Sequence, residues 1–426
     1  MAADLEGVLA ERRLGSIPGA SPATSSVDVA RMVRERHARL QAEMSANDVE
    51  VALLLHGPHV TYATGHPVRG IDATHAAFER PVALVVLGQE RPHLLGDEIG
   101  GPLAASLGLE RHPAVWPELD DAMEDLTDVL AGLCGPLAGR RVAVDEQTGA
   151  MLRAGLLDDA TVVDASHLVG AAKVVKTADE LACIAEAQRR NETAMRAAQD
   201  ALRPGVSRSA VAGAFLAALQ ELDGNTPANL IDPIFQPMPR SVADGPRTTT
   251  GTAAFPTGVG DPVFAEGDLV WVDSGIDHLG YASDFGRTWL VGRDPTSAEQ
   301  GVFDRWCEVM ASVLDVLRPG ATAGDLCRAA AAANGGKRPW LPYFYLAHGV
   351  GIESAEMPLV GTDLGTGFDD GLVLAPGMAL VLEPVVWQEG SGGYRAEEIV
   401  AVADKGWCHL GGGYPYAPFT EVGARS

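Results

Sequence analysis

Basic charge is scarce in this chain. Lys and Arg total 32 against 57 Asp and Glu, a formal charge of −25 over 426 residues. Such an excess of acid repels phosphate backbones and anionic lipid, so neither nucleic acid nor a membrane surface is an expected partner. A run of about 18 apolar residues is also missing, which removes any expected membrane span. Residues 1–26 lack the long apolar core of a secretory signal, and their Ser/Pro/Ala-rich second half reads as a flexible arm. The cysteines (Cys134, Cys183, Cys307, Cys327 and Cys408) are odd in number and contain no C-x-x-C pair. That pattern supports neither a zinc knuckle nor a disulfide framework, and a reduced cytoplasmic setting is the simplest inference.

What is present is the balance of an ordinary globular protein, 46% hydrophobic and 21% charged, in a chain long enough to predict two domains. The pattern is helical from Val27 to about Met44. Apolar strand candidates follow at 51–57, 81–88, 141–146 and 161–166, alternating with helical runs such as 118–133. This predicts an α/β domain over 27–168. His59 and His66 lie within it without a carboxylate cluster, which favours structural or rim roles.

The remainder, 169–426, carries an internal echo. Thr177 and Glu180 have capping-box spacing and predict a helix to about Leu202. LRPG at 202–205 punctuates it, and a second helix spans Ser207–Leu222. The same order recurs, with a helix from about Ser297, LRPG at 317–320, and a helix from about Thr322. EGDLVWVD (266–273) and APGMALVLE (375–383) are matching apolar runs ending in an acid. Two similar halves predict a pseudo-twofold domain in which Asp273 and Glu383 come from opposite halves. Between them, 223–265 reads as a long Pro/Gly/Thr-rich loop covering the site.

The segment 271–292 reads as a β-hairpin that brings Asp273 and Asp284 to one face, where their repulsion demands a cation or a proton. His348 stands among small residues in AHGVG. Glu383 ends an apolar run and needs a partner there. In YRAEEIVAV, strand alternation sends Glu397 and Glu398 to opposite faces, so only one points at the site. Four carboxylates and one imidazole balance two divalent cations, and the oxygen-rich set suits Mn, Fe, Co or Zn. Two such ions share a hydroxide, lower its pKa and polarise a substrate oxygen.

The ordered set VDSG…SDFGRT…HGVG…LEP…EE resembles the creatinase/aminopeptidase P/methionine aminopeptidase family over roughly 170–410. The resemblance implies a creatinase-type N-terminal α/β domain and a C-terminal pseudo-twofold "pita-bread" α+β catalytic domain. It places the metal ligands at Asp273, Asp284, His348, Glu383 and Glu397, and it implies a homodimer.

One departure matters. Peptidase members carry a histidine seven residues after the metal-binding one, and Ala355 stands there. A second, expected ahead of the hairpin, is absent, since no histidine occurs from 168 to 277. Those histidines help to bind the peptide carbonyl and stabilise its tetrahedral intermediate. Tyr343, Glu353 and Glu356 are the candidate replacements, while Arg287 is expected to pair with a structural carboxylate or carbonyl. Asp277 and His278 are expected to face solvent at the hairpin turn. The main expectation is a dinuclear-metal hydrolase cleaving an amide or other C–N bond of a small molecule or short peptide. The alternatives are a lyase resembling the dimethylsulfoniopropionate lyases, an ordinary Xaa-Pro aminopeptidase or dipeptidase, and a metal-free binding module.

Overall fold

The computed structural model describes residues 27–66, 68, 80–96, 109–223, 230–241, 260–340 and 344–416. The flexible arm expected over 1–26 therefore lies outside the described residues. The chain divides into two compact units between Asp179 and Glu180. Among the described residues no helix is long and apolar enough to cross a membrane.

The first unit is built on a six-stranded mixed sheet. In chain order its strands are β1 (Val51–Leu54), β2 (Val82–Val86), β3 (His93–Leu95), β4 (Glu110–His112), β5 (Arg141–Val144) and β6 (Thr161–Asp164), arranged β4-β3-β2-β1-β5-β6. β1 runs parallel to β5 and antiparallel to β2. All four residues of β1 are buried, so its sequence reads as a continuous apolar run rather than an alternation. Val51, Leu53, Leu84, Leu126, Leu130 and Val142 share one core. His59 has a structural task here. Its Nδ1 lies 2.9 Å from Asp145 Oδ2, and Asp145 also accepts from the backbone N–H groups of Leu55 and His56. Burial lowers the His66 imidazole to about 4, with the Arg111 charge acting in the same direction.

The second unit repeats one plan. Helices α1 (Ala178–Ala201) and α2 (Arg208–Asp223) precede a sheet containing β7 (Leu230–Pro237), β8 (Leu269–His278) and β10 (Phe285–Leu290), in the order β10-β8-β7. The short strand β9 (Tyr281–Ala282) pairs back onto β8. Helices α3 (Ser297–Val316) and α4 (Ala323–Ala333) then precede five antiparallel strands. These are β11 (Ala347–Gly349), β12 (Glu356–Val360), β13 (Ala379–Leu382), β16 (Glu398–Val402) and β17 (Trp407–His409), in the order β12-β11-β13-β16-β17. β14 (Val385–Gln388) and β15 (Gly392–Arg395) form a separate hairpin. Thr296–Glu299 and Thr322–Asp325 are complete capping boxes, which explains why α3 and α4 start where they do.

The expected loop over 223–265 is in part a strand. β7 pairs antiparallel with β8, and its register shifts between Ile231 and Ile234. Asp232-Pro233 sits at the shift, and proline inside the run hides the strand from a periodicity reading. Residues 224–229 and 242–259 lie outside the described residues.

Candidate metal centre

The hairpin that carries the two aspartates is shaped by its turn. Leu279 and Gly280 both have positive φ (52° and 83°), the conformation of a two-residue hairpin turn matched to strand twist. Across the arms Asp273 pairs with Gly286, and Asp284 stands two residues before Gly286. Even spacing keeps both acids on one face. The flanking Asp277 and His278 are half-buried. Helix α1 braces the hairpin from behind. The Asn191 amide donates to Ser274 O (2.9 Å) and Ser283 Oγ (3.0 Å) and accepts from Ser274 Oγ (2.8 Å). Tyr281 donates to Glu180 Oε1 at 2.8 Å, so Glu180 serves the hairpin.

The other half supplies the remaining donors. His348 is the middle residue of β11, held between β12 and β13. Glu383 directly follows β13, and its N–H donates to Leu346 O at 3.0 Å. Glu397 bridges the halves, with its N–H donating to Gly286 O at 2.9 Å. Gly286 is required there, because a Cβ at that position would lie 2.5 Å from Glu397 Cδ. Glu398 faces the opposite way, meeting Arg287 at 3.2 Å and making close contacts with His409 and Tyr416. Arg287 also donates to Glu397 O at 2.6 Å and to other backbone carbonyls.

These placements make one cluster. Donor oxygens of Asp273, Asp284 and Glu397 all lie within 4.8 Å of one another. His348 Nε2 is 3.3 Å from Asp284 Oδ2 and 3.4 Å from Glu383 Oε1. All five residues are buried, with Glu383 at 0% and Glu397 at 1% exposure, so water does not screen their repulsion. Burial is the leading cause that pushes the Asp273 and Asp284 carboxyls well up, and the Glu397 carboxylate adds to it in both. Burial likewise pushes Glu383 up to about 8, against the pull of Arg395 and His348.

The donor set fits a divalent cation. Glu383 Oε1 and Glu397 Oε2 are buried acceptors that take no hydrogen bond from the described residues. His348 Nδ1 lies 2.8 Å from Gly349 O, so it donates there and leaves Nε2 turned toward two carboxylates. A divalent cation placed among Nε2 and these carboxylates would be shared by all of them, and a backbone acceptor on the far nitrogen is the usual support for a ligating histidine.

Two neighbours escaped the sequence reading. Arg395 places its guanidinium among the acids, 3.6 Å from Asp273 Oδ2 and in close ion pairs with Glu383 and Glu397. It stacks on Trp271 with its carbon 4.0 Å from the ring centroid. Its place in YRAEE, two residues before Glu397, was the available signal. Tyr345 meets the His348 ring edge-on at 5.0 Å. Tyr343, the tyrosine singled out from sequence, lies outside the described residues. Glu353 is half-buried and its carbonyl accepts from Gly351 N, while Glu356 is buried at the start of β12. Ala355 is exposed.

Buried carboxylates and one imidazole, converging from two matched halves, define a pita-bread protein of the metal-dependent class. The chain belongs to metallopeptidase family M24, whose model matches residues 182–404, and the Creatinase/Prolidase N-terminal domain matches 36–175. It is 29% identical over 259 residues to the uncharacterized peptidase YqhT of Bacillus subtilis, covering 59% of this chain and 66% of that one. It is 29% identical over 237 residues to an Xaa-Pro dipeptidase of Pyrococcus furiosus, covering 55% of this chain and 62% of that one. Each match spans less than two thirds of the relative's own length. The fold is shared with the recombinant prolidase from Thermococcus sibiricus, with a TM-score of 0.70 at 19% identity over 91% of this chain and 98% of that one. It is also shared with the prolidase from Pyrococcus horikoshii, with a TM-score of 0.65 at 21% identity over 88% and 97%.

Proposed function

We propose that this chain is a divalent-metal-dependent hydrolase that cleaves the C–N bond of a small peptide-like substrate. In this reading Asp273, Asp284, His348, Glu383 and Glu397 hold two ions of the Mn, Fe, Co or Zn type. The observation that carries it is the convergence of these buried donors, with carboxylate oxygens that take no hydrogen bond from the described residues. Xaa-Pro dipeptides are the first candidate substrates, in keeping with the names of the relatives. Bound ions would polarise the substrate carbonyl and acidify water at neutral pH.

The chain's own residues take the other tasks. The Asp273–Asp284 hairpin and the β11–β13 pair fix the donors on strands rather than loops, which holds their geometry. Ala355 offers no proton donor where a peptidase histidine would stand. The Tyr345 phenol, beside His348, is the donor we assign to the developing oxyanion. Burial above all, and then the Glu383 and Asp284 charges, push its phenol up, so it keeps its proton at neutral pH. Glu353 and Glu356 remain candidates for binding the substrate's amine end. The reading extends to a homodimer, which light scattering on purified protein tests, and to a reducing cytoplasm, which cell fractionation tests.

The test is metal analysis followed by a substrate panel of Xaa-Pro dipeptides, cyclic amides and ureides, and sulfonio- or ammonio-propionates. Hydrolysis with uptake of solvent oxygen into product is expected. Fewer than about one ion per chain, with no gain on adding Mn²⁺ or Fe²⁺, would refute the metal reading. An alkene product without oxygen uptake would replace hydrolysis with elimination.

A further inference from the structure

Arg395 raises a question that the ligand set does not answer. A guanidinium has no lone pair for a metal, yet this one lies inside the cluster that is to hold cations. It closely contacts Glu383 and Glu397, donors from two different strand ends, and stands 3.6 Å from Asp273 in the other half. It is buried, clamped over Trp271 and near Phe344 (4.0 and 5.5 Å from the ring centroids). Its backbone is pinned as well. Arg395 N–H donates to Thr288 Oγ1 at 3.0 Å, and Thr288 Oγ1 donates to Arg395 O at 2.8 Å. Little freedom is left for the side chain to swing out into water.

The charges explain why it is there. Asp273, Asp284, Glu383 and Glu397 bring four potential negative charges into one buried space, and the Nδ1 of His348 is already engaged by Gly349 O. Unpaired carboxylates in such a place cost several kcal/mol each. Among the described ion pairs Arg395 is the one guanidinium or ammonium that reaches these acids, and it meets three of the four: Asp273, Glu383 and Glu397.

We propose that Arg395 is a resident cation of the metal site: it holds the ligand carboxylates together before metal arrives, and it competes with the incoming ions for Glu383 and Glu397. This rests on the metal reading above. It makes Arg395 a positioning residue, and the resulting coupling has a definite sign. Two cations that share acceptors weaken each other. By linkage, a residue that stabilises the metal-free protein more than the metal-loaded protein must lower the affinity for metal by the same factor. The site therefore stays assembled when empty, at the expense of tighter binding.

The experiment compares the full-length wild type with Arg395→Gln and Arg395→Lys, each stripped with chelator and then titrated with Mn²⁺ by calorimetry. Melting temperatures are recorded for both forms. In Arg395→Gln the metal-free Tm is expected to fall by roughly 5–15 °C, the loaded Tm by clearly less, and Mn²⁺ affinity to rise about tenfold. Arg395→Lys keeps a charge and should recover part of the metal-free Tm, so it still reports if the Gln variant fails to fold. Arg287→Gln, which removes the guanidinium bound to Glu398 on the opposite face, is the control and should lower both forms alike. Equal losses with and without metal in Arg395→Gln would overturn the proposal, as would weaker Mn²⁺ binding. If the wild type binds no Mn²⁺ at all, the metal reading itself has failed, a result separate from either outcome.

Discussion

At the scale of single residues, the centre depends on who lacks a partner and who lacks a side chain. Asp284 touches both the His348 imidazole and the group of Asp273 and Glu397. Asp284→Asn should therefore strip metal as well as activity. Loss of groups behind a metal ligand costs about 10–100-fold, and loss of a ligand should exceed that. Metal content per chain, measured beside turnover, checks it. Gly286→Ala makes the complementary test. The added methyl would press on the Glu397 carboxylate, and overpacking of this kind costs about 1–3 kcal/mol. Weaker metal binding with a modest fall in Tm is expected, and an unchanged affinity would mean that Glu397 does not ligate. Tyr345→Phe should lower kcat about 100-fold while leaving metal content intact, because it removes one oxyanion donor and no ligand. A variant with full kcat would return the donor role to another group.

At the scale of elements, helix α3 is anchored by one carboxylate. Glu299 closes the capping box on Thr296 and also meets Arg293 (2.8 Å) and Arg240 (2.6 Å). Burial pushes its carboxyl up, but hydrogen bonds from Arg293, the Thr296 backbone and Arg240 outweigh that and hold it at about 2. The folded value lies below the unfolded one near 4.5, so the unfolded state takes up protons first. The stabilisation is full above about pH 4.5 and is lost as pH falls toward about 2. Melting curves across that window should show wild type and Glu299→Gln apart at neutral pH and converging in acid. A constant gap would show that Glu299 acts by packing alone. Elements of this kind were largely legible in the sequence. The starts of α3 and α4, the strands β1, β5 and β6, and the Asp273–Asp284 hairpin each rest on local chemistry such as a cap, an apolar run or a turn glycine. β7 was not legible, because Pro233 breaks the pattern and only pairing with β8 makes the segment a strand.

At the scale of the whole molecule, the proposed metal site would couple cations to the fold. The acids are buried in the native chain and solvated in the unfolded one, so a metal held by them would favour the native state. At free metal a hundred times Kd the gain is about 2.7 kcal/mol. Chelation should accordingly lower Tm by roughly 5–10 °C, reversibly on adding Mn²⁺. Insensitivity of Tm to chelator would count against a resident ion. The acidic balance, −25 over the chain, is only partly accounted for by such a site, and the rest belongs to the surface.

The sequence by itself determined the duplicated helix–helix–strand plan and the two-unit architecture, and its family resemblance supplied the proposed list of donors. Residue order, strand alternation and capping are local, and a linear reading reaches them. Strand alternation allowed only one of Glu397 and Glu398 to face the site, and the family resemblance chose Glu397. Only the tertiary structure decided who stands beside those donors. Arg395 was one more basic residue until β15 carried it between acids from both halves. Tyr345 was one aromatic of an apolar run, passed over in favour of Tyr343, until its ring met His348. Gly286 was a hairpin glycine until Glu397 needed the space of its missing side chain. Each of these facts is a contact between residues far apart in the chain, and the charge and volume that a neighbour imposes are set by folding rather than by position in the sequence.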